Sequence, residues 1–451
     1  MEQLDATVLV TALPTMAHDL HASAPSMSSA LTAYLLTLAI FIPASGWIAD
    51  RFGAKQVFLA AMGMFIAGSA LCGVAPNLTV LTLTRALQGM GGAMMIPVSR
   101  LVLLRSVKPE EMVSAMSWLL LPALLGPILG PPLGAVIMEW LGWRWIFYIN
   151  VPISLIGAAL IAIYIDDVRE PRPEPFDVRG FVLSGVGLGC LFLGLEGAGH
   201  GDSWVKIAPL FVIGLAAGGL YIAHARRHPH AILDLTLLKI PTFKLALISG
   251  SLTRITQGAQ PFLLALLLQM GFGLSPLQSG VTMVATSVGA LSMKALAPKI
   301  LRRFGFRNGL IIGGVLASAV YATCGLFRPS WPEPALLAVL LVAGACMSFQ
   351  FSAFNSIAFD GVERSRSGAA MGFHTTFQQF MLSVGVATGS SALSVAMAVR
   401  GHARPALGDF SVAFFVVTVI SLSATYWNWR FDPTAGQAIS GHRPVARTAA
   451  V

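Results

Sequence analysis

Gly46–Lys55 reads GWIADRFGAK, and the fold follows from what flanks it. Upstream, Leu31–Ile48 carries no charged residue; downstream, Val57–Ala75 carries none either. Each run is close to the ~20 residues that cross ~30 Å of hydrocarbon as a helix. Charges this compact between two apolar runs mark a short hairpin at one membrane face. Asp50 and Arg51 are adjacent, Gly53 permits the reversal, and Lys55 adds a second positive charge.

Composition extends this reading to the whole chain. Of 451 residues, 55% are hydrophobic and 11% charged, where a soluble domain carries ~25% charged residues. Mean hydropathy is +0.75. The chain therefore reads as an all-α, polytopic membrane protein. Its net charge of +9 does not indicate nucleic acid, because the basic residues are scattered over many short loops rather than gathered on one face. No GxxxxGK[ST] loop is present, which excludes ATP binding of that kind. Nothing resembles HExxH or a defensible Ser-His-Asp arrangement. The cysteines Cys72, Cys190, Cys324 and Cys346 fall inside apolar runs without metal or redox spacing and read as packing residues. No cofactor or metal is expected, and no catalytic group.

Fourteen apolar stretches can be counted, at approximately 4–18, 29–49, 57–75, 78–104, 112–138, 145–165, 180–197, 207–224, 245–270, 276–297, 309–327, 334–354, 367–398 and 410–429. Only three residues precede Leu4, with Glu2 and Asp5 at or near the membrane. The first helix is therefore expected to be shortened, through a late-assigned start or a fragment. With the 50–56 turn on one side and alternation thereafter, that side collects twenty Lys and Arg residues and the other five. This bias makes the first side cytoplasmic, together with both termini.

An internal repeat accompanies the pattern. Arg303-Phe304-Gly305-Phe306-Arg307 follows the tenth stretch as Arg51-Phe52-Gly53-Ala54-Lys55 follows the second. Copies eight spans apart fit six spans, a two-span insert and six more. The expected organisation is two pseudo-symmetric six-helix bundles at 1–166 and 231–430. A linker with two inserted helices lies between them at 167–230, and a cytoplasmic tail follows at 431–451. Internal repeats are typical of secondary transporters, whose binding sites lie between the halves near the midplane.

Ionisable groups inside a membrane are costly and functional by default. Asp5 is one candidate: a half-buried carboxylate suits reversible protonation, although a surface helix cap explains the same position. Arg85 shares a helix face with Gln88, Gly89 and Gly92, which points it toward protein or a cavity. Gly126, Gly130 and Gly134 repeat every four residues among Pro122, Pro127, Pro131 and Pro132. This is a smooth seam in a bent helix, suited to rocking or to tight packing alike. Arg254, Gln257 and Gln260 in the ninth stretch, Gln350 and Asn355 ending the twelfth, and His374 and Gln378 in the thirteenth are polar groups in apolar helices. As a set, with Gln88, they suggest a wet substrate cavity; singly, each also fits an interhelical hydrogen bond worth ~0.6 kcal/mol.

These stretches together resemble the major facilitator superfamily. GWIADRFGAK is similar to its signature loop between helices two and three, RALQGMGGAMMIP (85–97) to its helix-four motif, and GPILGPPLG (126–134) to the helix-five motif found in antiporters. LDATVLVTALP (4–14), WRWIFYINVP (143–152) and fourteen spans narrow the resemblance to the drug:H+ antiporter branch with that helix number. The resemblance implies proton-driven export across a bacterial inner membrane. It implies a cytoplasmic gate of Gly46, Asp50, Arg51 and Gly53, with the start of span thirteen near Arg366–Gly368 as the partner of Asp50. It also implies proton coupling through Asp5 and Arg85, and a pivot of Gly126, Pro127, Gly130, Pro131 and Gly134. Where the family usually has Asn this chain has Val10, which removes a polar group near Asp5.

The function expected is alternating-access export of amphipathic drugs or related small molecules. The expected partners are that substrate, protons and the lipid bilayer, without nucleic acid or ATP, the chain acting as a monomer. An importer, uniporter or metabolite exporter on the same fold is the nearest alternative. A membrane-embedded protein that does not transport is more distant.

Overall fold

The computed structural model describes residues 2–106, 126, 130–165, 175–228, 230–363 and 366–442. In chain order its helices are α1 (Glu2–Asp19), α2 (Ser28–Phe52), α3 (Ala54–Gly73), α4 (Leu78–Ser106), α5 (130–140), α6 (Arg144–Tyr148) and α7 (Asn150–Tyr164). They continue as α8 (Val178–His200), α9 (Trp204–Ala225), α10 (Pro241–Leu266), α11 (Pro276–Gly325), α12 (Glu333–Ile357), α13 (Ser367–Arg400), α14 (Leu407–Asn428) and the short α15 (Gln437–Ser440). No strand occurs among the described residues. Nine helical segments among them are long and apolar enough to cross a membrane.

The differences from the sequence reading are local. The first stretch is an 18-residue helix, about 27 Å long at 1.5 Å per residue. The stretch at 145–165 divides into α6 and α7 around Ile149. Stretches ten and eleven join into α11, and the interruption between them is a single residue: Gly305, at φ 74° and ψ 172°. The earlier copy of the repeat does the same at Gly53, between α2 and α3, at φ 96° and ψ 131°. Side chains bearing a Cβ avoid positive φ, so a glycine lets two helices meet at a corner with no loop. Most of the predicted span 112–138 lies outside the described residues.

Burial sorts the helices. α7, α8 and α9 expose large apolar side chains, among them Ile156, Leu160, Val182, Val205, Val212 and Leu215. That is the surface expected of helices immersed in lipid, whose backbone groups are satisfied internally. α8 and α9 pack on each other closely at Gly187 and Gly214. Leu36 of α2, Phe192 of α8 and Ala387 of α13 form one apolar cluster, so the inserted pair sits over the seam between α2 and α13.

Contacts between the N-terminal helices α1–α7 and the C-terminal helices α10–α14 include several at one end. Gln269 Nε2 donates to the carbonyl of Thr11 at 2.8 Å, and Ser390 Oγ to that of Pro25 at 2.7 Å. Gly280 lies so near α5 that a Cβ there would stand 2.7 Å from the carbonyl oxygen of Pro131. Pro25, Gln269, Gly280 and Ser390 all sit toward the ends of their helices remote from the Gly53 and Gly305 corners.

Candidate functional site

Arg85 is the centre of one polar cluster. It is fully buried in α4, where an unpaired charge is costly. Its Nη1 donates to Asp5 Oδ2 at 2.5 Å and to Gln88 Oε1 at 2.7 Å, and its Nε to the carbonyl of Ala30 at 3.1 Å. The guanidinium carbon lies 4.3 Å from the centre of the Tyr34 ring. Asp5, 2% exposed, accepts two further bonds on Oδ1, from Gln88 Nε2 at 3.0 Å and Asn150 Nδ2 at 2.7 Å. Ser69 Oγ ties both amides together and donates to the carbonyl of Phe147 at 2.8 Å. Helices α1, α2, α4 and α7 thus meet on one carboxylate–guanidinium pair, with α3 and α6 tied to it through Ser69.

Asp5 is therefore no surface cap; the inward reading of Arg85 and Gln88 matches their place here. Asn150 and Ser69 are members that sequence reasoning missed, and Asn150 carried a readable signal. It stands at the first position of α7, an amide opening an otherwise apolar run, and that is the signal that could have found it. Glu196, midway through the inserted pair, was missed too; its Oε1 accepts from Thr32 Oγ1 at 3.4 Å.

A cavity of about 270 Å³ opens beside this cluster. Val10, Tyr34 and Arg85 line it from one set of helices, and Gln257, Met283 and Leu382 from the other. Its walls are mainly apolar, where a wetter cavity was expected. Two of the expected residues, Gln257 and Gln260, do line it. Among the described residues, the Nε2 of Gln257, both amide atoms of Gln260 and the Nη2 of Arg85 have no hydrogen-bond partner. Arg254, His374 and Gln378 instead line a smaller recess further along α10, of about 10 Å³. Leu247, Gly250, Arg254, Gln257 and Pro261 follow at helical spacing, so one face of α10 runs from the recess into the cavity. Gln88, Gln350 and Asn355 line neither. Gln88 is occupied by the Asp5 cluster, and Asn355 Nδ2 turns back onto the carbonyl of Phe351 in its own helix at 2.7 Å. Gln350 is buried facing α11 near Gly314.

At the expected gate, Gly46 is exposed with open space around it, Asp50 is half-buried and Arg51 is exposed. Lys55 Nζ donates to the carbonyl of Ala162 at 2.7 Å. This neutralises part of the negative end of α7. The first turn of α13 has an acid other than Asp50: Arg366 Nη2 donates to Asp234 Oδ2 at 2.5 Å. Of the α5 motif, Gly126 and Gly130 are buried, Pro131 lines the cavity, and Pro127 lies outside the described residues. Gly134 faces α1, where a Cβ would stand 2.8 Å from Thr11 Oγ1 and from the carbonyl oxygen of Val8.

Asp177, His224 and His228 gather at the end of the inserted pair. Burial alone would push the Asp177 carboxyl up. The Gly180 N–H, the His224 ring and the Ile232 N–H instead hold it below its ordinary 3.8. Both its oxygens are engaged, which marks a cap and latch for α8.

These helices share their arrangement with known transporters. The profile described as Major Facilitator Superfamily matches residues 1–386 and 246–445. The chain belongs to the major facilitator superfamily. Within this superfamily it is similar to proteins named "Putative multidrug resistance protein MdtD". The one from Salmonella typhimurium is 36% identical, over 86% of this chain and 82% of that protein. The one from Pectobacterium carotovorum is 35% identical over 95% and 92%. Among solved structures, an auto-inhibited POT family peptide transporter superposes with TM-score 0.64 at 14% identity, covering 96% of each chain. The nucleoside transporter NupG gives 0.61 at 14%, covering 95% and 97%. At such identities the structures bear on the fold alone, an all-α bundle of helices.

Proposed function

We propose that the protein is a proton-coupled antiporter that exports amphipathic small molecules, drugs among them, across the bacterial inner membrane by alternating access. The observation that carries this reading is the buried Asp5–Arg85 pair beside the cavity. The names of the similar MdtD proteins support the drug substrates.

Ionised Asp5 holds α1 against α3, α4 and α7 through Arg85, Gln88 and Asn150. A proton on Asp5 cancels the ion pair and turns an acceptor oxygen into a donor, so the three donors facing it no longer all fit. α1 also carries Val8 and Thr11, which meet Gly134 and Gln269. Release at Asp5 therefore loosens the contact between the two sets of helices. The proton moves this equilibrium because it binds one state better than the other. The excess of Lys and Arg on the Gly53 side supports placing that side, with both termini, in the cytoplasm. The cavity then faces the cytoplasm in the described state. Asp50, Arg51 and the Gly53 corner act as the gate on that side, and the motif residues Gly126, Pro127, Gly130, Pro131 and Gly134 form the pivot.

The test uses everted membrane vesicles and a panel of fluorescent amphiphiles of either charge. A proton gradient should drive uphill uptake by the native protein. Asp5→Asn should insert normally and still exchange substrate across the membrane without a gradient, yet lose uphill movement. If the variant concentrates the probe as well as the native protein does, Asp5 has no part in coupling and this reading falls.

A further inference from the structure

Resting on the exporter reading, we infer that the face of α10 running from the small recess into the cavity is an anion site. In it Arg254, with Lys294 close by, receives a carboxylate or similar anionic group of the transported compound.

Arg254 is 2% exposed and about halfway along α10. Its polar contacts are neutral: Nη2 to Gln378 Oε1 at 3.0 Å and Nη1 to Gln257 Oε1 at 3.5 Å, the latter at the limit of a hydrogen bond. Lys294 on α11 donates to Ser352 Oγ at 3.1 Å. Both cations face one ring, that of Phe351 on α12, at 5.1 Å and 5.5 Å from its centre. Among the described residues, neither cation has a carboxylate within ion-pair distance. Arg85 shows what the protein does when it neutralises a buried guanidinium: it supplies Asp5 at 2.5 Å.

Amide oxygens and a ring face reduce the cost of a buried cation without cancelling its charge, and cation–π contact gives at most about 2 kcal/mol. The remaining charge acts on whatever enters. The face of α10 that carries Arg254 continues through Gln257 into the cavity, where the Nε2 atoms of Gln257 and Gln260, unpartnered among the described residues, offer hydrogen-bond donors. An anion seated between Arg254 and these amides, with its apolar body against Met283 and Leu382, satisfies both groups. A cationic amphiphile there meets the like charge of Arg254, with that of Lys294 on the other side chain against Phe351.

A matched pair of probes tests this: 1-naphthoate and 1-naphthylmethylammonium, similar in size and opposite in charge. The full chain is placed in phosphatidylcholine nanodiscs with no proton gradient. Naphthoate is expected to bind roughly tenfold or more tightly, the range given by a charge-assisted hydrogen bond. Arg254→Gln should abolish the preference, Arg254→Lys should retain part of it, and Lys294→Gln should weaken it. Should Arg254→Gln fail to give monodisperse protein, the native preference and the two other variants decide. Equal binding of both probes, tighter binding of the ammonium, or a preference that survives Arg254→Gln overturns the inference. A second arm adds phosphatidylglycerol to the nanodisc. Displacement of naphthoate by that lipid assigns the anion to a headgroup and overturns the substrate assignment. Binding is read without a gradient, so a failure of proton coupling in vesicles leaves this result standing, and the reverse holds too.

Discussion

Two arginines, Arg85 in α4 and Arg254 in α10, are buried almost equally and in opposite electrostatic company. Arg85 sits in a neutral, cross-linked cluster with Asp5, Gln88, Asn150 and Ser69. Arg254 has two glutamine oxygens and an aromatic ring. A closed, neutral cluster has one well-defined arrangement and a second when a proton is added, which is what a switch requires. An uncompensated charge beside a cavity has an unfilled requirement, which is what a binding site supplies to a ligand. Burial alone does not distinguish the two; the partners do.

The largest expected effect breaks or keeps this contrast directly. Arg85→Gln leaves Asp5 buried and unpaired, and removal of one member of a buried pair costs about 3–5 kcal/mol. Arg254→Gln removes a charge that nothing neutralises, and should leave stability unchanged or raise it. Unfolding of both variants in the same detergent, followed by tryptophan fluorescence, checks this. Similar losses in the two would mean that Arg254 is held by partners as firmly as Arg85 is.

A somewhat smaller effect sharpens the first side of the contrast. Asn150 donates to Asp5 at 2.7 Å and to Ser69 at 3.2 Å from the start of α7. Asn150→Ala should cost about 1–3 kcal/mol, the penalty for leaving a buried acceptor short of a donor. It should also reduce gradient-driven transport more than gradient-free exchange. A variant with native stability would show that Gln88 and Arg85 satisfy the carboxylate between them.

The sequence disclosed the parts of this picture that depend on residue type within a helix. Uncharged runs around Gly46–Lys55 disclosed the hairpin, and the repeated Arg-Phe-Gly disclosed both corners. A charge inside an apolar run disclosed Asp5, Arg85 and Arg254 as groups needing an explanation. Which of them pair is a tertiary fact: Asp5 and Arg85 are eighty residues apart, and nothing in either segment names the other. Polar residues in the second half were legible as a set but not one by one. Gln257 and Gln260 reach the cavity, whereas Asn355 bonds within its own helix and Gln350 turns toward α11. These outcomes depend on rotation about the helix axis, which one apolar stretch on its own does not determine. Lys294 reads as an edge-of-span residue until it and Arg254 are both seen against the ring of Phe351.

The two glycine corners give the next comparison. Gly53→Ala and Gly305→Ala each place a Cβ at positive φ, worth about 1–3 kcal/mol of strain. At Gly305 the added carbon would also meet the His442 ring, 2.8 Å away, a side chain that can move. Both variants should therefore lose stability in the lower part of that range, with Gly305→Ala the more affected. If the corners also serve as hinges, Gly53→Ala should slow transport by more than its stability loss explains. Equal, purely thermal effects would confine both glycines to shaping the turn.

The smallest expected effect comes from the pair that mirrors Asp5–Arg85 outside the membrane. Asp234 and Arg366 meet at 2.5 Å with each side chain about a third exposed, joining the segment before α10 to the first turn of α13. Burial works against the ionised Asp234, but the Thr236 hydroxyl, the Arg366 guanidinium and the Thr236 N–H together hold its carboxyl below the ordinary 3.8. A carboxyl depressed in the folded state contributes stability above its unfolded value and loses that contribution as pH falls through the folded one. Asp234→Asn should therefore lower stability at neutral pH by about 0–1 kcal/mol, as for other solvent-screened pairs, and salt should shrink the difference. As pH falls below the ordinary 3.8 and on through the lowered folded-state value, the variant and the native protein should converge, because the native carboxyl then takes up its proton in both states. A difference that stays constant from neutral to acid pH would trace the loss to the hydrogen bonds with Thr236, which Asn partly keeps, rather than to charge. The surface pair would then differ in kind from the buried one, where the proposed switch works through the charge of Asp5.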